Sequence, residues 1–189
     1  KKVLPGAQVG LAKNVAYHEP FRPGNWGDEL IVKIGRYFGN EFFMNRLKRQ
    51  LDFIGLNYYF THTLKFSWRK GFEEMNKKFP KSDMGLKTYP KGLYHLLKRF
   101  AKYNKPLYVT ENGIANATDE MRERFIAEHL EETKRALNEG AQVKGYFYWS
   151  LLDTYEWHMG YGLKFGLAEV NYETLERKPR VQENFFKTF

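Results

Sequence analysis

Three stretches hold the residues best suited to chemistry: Asn57-Tyr58-Tyr59, Glu111-Asn112-Gly113, and the run from Trp149 through Asp153 and Thr154 to Glu156-Trp157. Each closes or follows an apolar run of strand length. Taken singly, each has an ordinary structural reading. Asn112-Gly113 could be a tight turn that leaves Glu111 in solvent. Tyr59 and Trp149 could be core fillers, and Glu156-Trp157 a surface loop. Together they set carboxylates beside indole and phenol rings, a combination suited to a carbohydrate. Sugars offer flat C–H faces for stacking, and hydroxyls that carboxylates and amides bind. A buried carboxylate at a strand end can also attack an anomeric carbon.

Such residues need a scaffold that gathers strand ends. Residues 7–14 read as a strand after the Pro5-Gly6 turn. Residues 28–47 read as a helix, with Leu30, Ile31, Ile34, Phe38, Phe42 and Phe43 at helical spacing. Strands follow at 52–59, 106–111 and 143–150. Between them lie a long polar loop to Tyr89, a helix at 90–103 with Pro90 in its first turn, and a helix at 118–139. Thr118 or Asp119 is placed to cap that last helix and Gly140 to stop it. A hairpin-like stretch then leads to a helical segment at 179–186. Strands that are apolar on both faces and separated by helices predict a parallel sheet covered by helices. Both an open doubly wound sheet and part of a (β/α)8 barrel fit. A barrel takes about 250 residues, so four βα units would be half of one.

The 189 residues are 42% hydrophobic and 28% charged, a globular balance that excludes a disordered chain. No apolar run approaches the ~20 residues of a membrane-spanning helix, so no membrane partner is expected. The N-terminus has no signal-peptide core, which sets a cytoplasmic location as the expectation. The chain begins with Lys1 rather than Met, as a processed or partial chain would. There is no cysteine, and the five histidines (His18, His62, His95, His129 and His158) fall in no ligand spacing. Neither a metal nor an organic cofactor is expected. The net charge of +9 raises nucleic acid as a partner. The cations are scattered, however, as Arg46, Lys48 and Arg49, then Lys77, Lys78 and Lys81, then Lys98, Arg99 and Lys102. Interleaved with apolar residues, they read as solvated helix faces and loops, and no nucleic-acid partner is expected.

The segment Leu107-Tyr108-Val109-Thr110-Glu111-Asn112-Gly113 resembles the nucleophile motif of family 1 glycoside hydrolases, the retaining β-glucosidases and their relatives. Asp52-Phe53-Ile54-Gly55-Leu56-Asn57-Tyr58-Tyr59 resembles that family's sixth barrel strand. Trp149 to Trp157, with Gly160-Tyr161 and Phe165-Gly166-Leu167, resembles its eighth strand and following loop. Order and spacing match from about Ala7 to Arg180. The resemblance implies a (β/α)8 barrel of which residues 1–189, one incomplete domain, supply roughly strands five to eight.

The resemblance also implies roles. Glu111 would be the nucleophile that forms a covalent glycosyl-enzyme, and Tyr59 would donate a hydrogen bond to it. Asn57, two residues before Tyr59, shares its strand face. Trp149 would floor the sugar site, Glu156 and Trp157 would bind sugar hydroxyls, and Phe165 would close the wall. A fixed carboxylate at Glu156 disfavours a 6-phosphosugar. Thr154 stands where an Asn is frequent, with no expected consequence for the chemistry. Leu86 stands where the family often carries Trp, which removes an aromatic platform from the outer subsite.

Nothing in the chain matches the family's Asn-Glu-Pro acid/base motif. Glu19-Pro20 is read as lying in a loop rather than at a strand end. The expected partners are therefore a β-glycoside substrate and a complementary N-terminal half-barrel, in the same parent chain or a second one. The expected activity is retaining hydrolysis of β-glucosides, and of β-galactosides or β-fucosides. The alternative is a non-catalytic sugar-binding homologue that keeps the site without an acid/base.

Overall fold

The structure is a computed structural model that describes residues 4–75 and 79–180. Strand β1 (Gly10–Pro20) leads into a long helical stretch made of α1 (Trp26–Gly35), a π-helical turn (Arg36–Glu41) and α2 (Phe42–Leu47). Then come β2 (Phe53–Ser67), the short β3 (Gly71–Glu74), α3 (Pro90–Phe100), β4 (Leu107–Asn112), α4 (Arg122–Asn138) and β5 (Val143–Tyr148). A two-stranded hairpin, β6 (Ala168–Val170) with β7 (Arg177–Pro179), closes the described chain.

The main sheet runs β1-β2-β4-β5, every pair parallel, with a helix crossing over between each two. Its core lies between sheet and helices. From β2 come Ile54, Leu56 and Tyr58, each 0% exposed, and they meet Leu93, Leu96, Leu97 and Phe100 of α3, a face predicted from helical spacing. Alternation then sends Asn57 and Tyr59 to the opposite face. Within this chain β1 and β5 are the two edges of the sheet.

Several expected boundaries move. The first strand begins at Gly10 and runs to Pro20, because a bulge between Val15 and Tyr17 breaks the alternation that would have revealed it. Asn40, on the π-helical turn, fills the gap. Its side chain accepts from the Ala16 N–H at 3.1 Å and donates to the Ala16 carbonyl at 2.8 Å. Glu19-Pro20 thus ends a strand, which corrects the loop reading, and Thr63 Oγ1 donates to Glu19 at 2.9 Å. Part of the expected polar loop after Tyr59 is strand, since β2 continues to Ser67 and pairs antiparallel with β3. Helix α4 starts at Arg122 rather than 118. Asp119 has φ 62°, and the Asn116 side chain accepts from Met121 N in place of a Thr118 or Asp119 cap. Pro179 ends β7, and residues 181–186 of the expected last helix lie outside the described residues, as do Lys77 and Lys78. No helix of the described residues is long and apolar enough to cross a membrane.

Candidate active site

The C-terminal ends of β2, β4 and β5 gather the candidate residues. Two apolar residues of β4, Leu107 and Val109, face the helices and are 0% exposed. Strict alternation would carry Glu111 to that same buried face. It does not, because the β2–β4 register slips there: Leu56 pairs with Val109 and Asn57 with Glu111, leaving Thr110 as an extra residue. The bulge turns Glu111 onto the face of Asn57 and Tyr59. Thr110 Oγ1 donates to Asn57 Oδ1 at 2.6 Å, which fixes the bulge.

On that face the Tyr59 hydroxyl donates to Glu111 Oε2 at 2.6 Å. Burial, then the adjoining Glu111 carboxylate, pushes the Tyr59 phenol far above its ordinary range, with a smaller push from Glu156. Tyr59 is therefore held as a donor. Asn112 points to the helix side, where its side chain donates to the Tyr58 carbonyl and accepts from the Tyr146 hydroxyl, both at 2.6 Å. The strand end that carries Glu111 is thus fixed from both faces. Gly113 lets the Trp149 backbone approach, since a Cβ there would lie 1.7 Å from the Trp149 carbonyl oxygen.

Trp149 rests on Ala115, Leu163 and Phe165, a cluster that Tyr59 also packs against. Its indole N–H donates to Glu156 Oε1 at 3.2 Å, and Thr154 Oγ1 donates to the same oxygen at 2.8 Å. Thr154 therefore positions Glu156, contrary to the expectation that this position has no consequence. Phe165 is 4% exposed and meets Tyr59 edge-on, with ring centroids 6.3 Å apart. It backs the Tyr59 ring and presents little surface of its own. Trp157 lies apart: it opens a short 3-10 turn at φ 49°, is 82% exposed, and has no ring contact with Trp149 among the described residues.

The protein-family model for glycosyl hydrolase family 1 matches residues 13–189. This chain belongs to glycosyl hydrolase family 1. It is 32% identical over 227 residues to a β-glucosidase A of Acetivibrio thermocellus, covering 96% of this chain and 50% of that relative. It is 37% identical over 164 residues to a β-galactosidase of Saccharolobus solfataricus, covering 79% of this chain and 33% of the relative. Among solved structures, a β-glucosidase from Thermotoga maritima in complex with glucoimidazole matches with a TM-score of 0.90 and 29% identity, over 99% of this chain and 51% of that one. The chain spans half or less of the curated relatives named here, and it folds as half of a (β/α)8 barrel.

Two supports of this family 1 site escape a reading of sequence. Arg122, 1% exposed, donates to the carbonyls of Ile114, Asn116, Lys164 and Phe165 at 2.6–3.1 Å and pairs with Asp119 at 2.7 Å. It clamps the loop after Glu111 to the loop that carries Phe165. Asp153, 3% exposed, takes both terminal nitrogens of Arg180 at 2.8 and 2.9 Å, and the Gly166 N–H at 3.0 Å. Burial alone would raise the Asp153 carboxyl, but these donors overcome it and hold the group below its ordinary value. The sequence signal for both is weak, because a buried ion-paired arginine and a solvated one have the same one-letter code. Only the Asp119-to-Arg122 spacing on a helix start hints at the pairing.

Proposed function

We propose that this chain is the nucleophile-bearing half of a retaining β-glycosidase that hydrolyses β-glucosides, and β-galactosides or β-fucosides. The observation that carries the reading is the 2.6 Å contact of Tyr59 with Glu111, on the open face of the sheet and beside the Trp149–Glu156 pair. The carboxylate attacks the anomeric carbon as the glycosidic oxygen leaves, protonated by an acid. That acid then deprotonates a water, which releases the sugar from Glu111. Tyr59 holds Glu111 in place, with Asn57 on the same strand face. Trp149 floors the sugar, and Glu156 Oε2 is placed to accept from sugar hydroxyls, with Trp157 on the rim. Phe165 acts through Tyr59.

The acid belongs to a complementary N-terminal half, about 5–5.5 Å from Glu111 as a retaining mechanism requires. The two open sheet edges support such a partner. So do apolar residues on the elements flanking them: Leu30, Ile34 and Phe38 beside β1, and Phe147 and Leu151 at β5, are 45–70% exposed. Intact mass under denaturing conditions, paired with hydrolysis of an aryl β-glucoside, tests the reading. Activity that accompanies a longer chain or a second species, and is abolished by Glu111→Gln, is the expected result. Activity that survives Glu111→Gln at more than a few per cent sinks Glu111 as nucleophile. A chain that binds sugar but never hydrolyses it with any N-terminal half would favour the non-catalytic alternative.

A further inference from the structure

Away from the site, two irregularities meet in the helical layer. The bulge at Ala16 interrupts β1, and the π-helical turn Arg36–Glu41 interrupts the helix that follows it. Single π-turns and β-bulges each disturb a regular ladder and cluster where a protein has a use for them. Here they flank one small cavity of about 170 Å3 between β1, the π-turn and α3. It is lined by Arg36, Asn40 and His18 on one side and by His95 and Arg99 of α3 on the other.

Its charge is lopsided. Arg36 is half-buried, spends one N–H on the His18 carbonyl at 2.7 Å, and has no carboxylate within ion-pair distance among the described residues. Arg99 and Lys102 share the buried Glu41 carboxylate. Two cations thus share one acid while Arg36 has none, and the Arg36 and Arg99 guanidiniums line the same cavity. Arg36 is held below its ordinary value by burial and then by Arg99. His95 stacks on Tyr17 with centroids 5.1 Å apart, and the buried Nδ1 of His18 has no hydrogen-bond partner among the described residues. The Asn40 amide is fully committed to Ala16, so it sets the cavity wall.

We propose that this cavity binds a tetrahedral oxyanion of the phosphate class, held between the Arg36 and Arg99 guanidiniums. The volume is several times the ~30 Å3 of a water molecule and suits a five-atom ion. Guanidinium forks match the oxygen spacing of phosphate, and a half-buried pair of like charges is relieved by an anion between them. The bound ion would bridge the π-helical turn and α3 behind strand β1, and would leave the Glu111 face untouched.

Isothermal titration of the purified protein with inorganic phosphate, at ionic strength held constant with chloride, tests this. The expected result is one saturable site, competed by sulfate, with thermal unfolding raised by about 2–4 °C at ten times the dissociation constant. Arg36→Gln should weaken binding at least about ten-fold, a charge-assisted pair being lost, whereas Arg124→Gln on the exposed face of α4 should not change it. Should Arg36→Gln fail to fold, Arg99→Lys gives the same comparison. Titration with glycerol phosphate separates sources: tighter binding than phosphate marks an ester as the ligand, and weaker binding marks the free anion. No saturable binding beyond that of chloride, or equal binding by the arginine variants, overturns the proposal.

Discussion

Tyr59 and Glu111 stand 52 residues apart in the chain and 2.6 Å apart in the fold, phenol donating to carboxylate. The contact exists because β2 and β4 are parallel neighbours and because the extra residue Thr110 turns Glu111 to the Tyr59 face. Tyr59→Phe keeps the ring against Phe165 and deletes the donor. A hydrogen bond to a charged group contributes about 1.5–3 kcal/mol, so kcat/KM for an aryl β-glucoside should fall about 10- to 100-fold. Steady-state kinetics on the active protein check this. An unchanged kcat/KM would mean that the contact has no part in turnover.

Thr154→Val removes one of the two donors to Glu156 Oε1 and keeps the shape of the side chain. Glu156 is then held by the Trp149 indole alone. The expected result is a KM raised about 3- to 10-fold, from one lost hydrogen bond of about 1 kcal/mol, with Thr154→Ser close to the parent. Equal KM values for the valine and serine variants would contradict the positioning role.

Gly113→Ala drives a Cβ against the Trp149 carbonyl, where backbone must move. Overpacking of this kind costs about 3 kcal/mol. Gly6→Ala, with nothing within 4 Å of its Cβ, is the control and should stay within about 0.5 kcal/mol. Denaturant unfolding of both variants decides the matter.

Acid should weaken the fold through His129. Its ring is 1% exposed, bonded at 2.7 Å to the Phe125 carbonyl and packed on the Phe125 ring. Burial pushes its pKa down to about 4, against the opposing pull of that carbonyl. The unfolded chain takes up the proton first, near pH 6.5. Stability is therefore full above that pH and falls as pH drops towards 4, by at most about 1.4 kcal/mol per unit. His18, also pushed down to about 4 by burial and then by His62, adds to the slope. Thermal unfolding at pH 7 and pH 5 should show a smaller loss for His129→Leu than for the parent. An identical loss would contradict the assignment.

Much of this was legible in the residues. Leu93, Leu96, Leu97 and Phe100 announce α3 by spacing, and all four are buried against the sheet. The apolar runs of β2, β4 and β5 announce a parallel sheet, and the motifs at their ends point to the family. What stayed hidden were departures from periodicity. The bulges at Ala16 and Thr110 shift the register by one residue, which no pattern of apolar and polar letters distinguishes from a strand end. The second half of β2 carries Thr61, His62 and Thr63, polar letters that read as loop although Thr61 and Thr63 are buried where the strand continues beside β1. Thr154 acts through a hydrogen bond to Glu156 and Arg122 through several to the carbonyls of two loops, and only coordinates reveal those. Trp157, read as a sugar-binding residue from its type and spacing, is exposed in a short 3-10 turn that periodicity does not reveal.

The central claim is that Glu111 carries the sugar. The most direct test traps the covalent intermediate on active protein with a 2-deoxy-2-fluoro β-glucoside bearing a good leaving group, followed by peptide mass mapping. The account predicts one added fluoroglucosyl group per active site, on the peptide that contains Leu107-Tyr108-Val109-Thr110-Glu111-Asn112. A label on any other carboxylate, Glu19 or Glu156 included, or inactivation without any label, would contradict it.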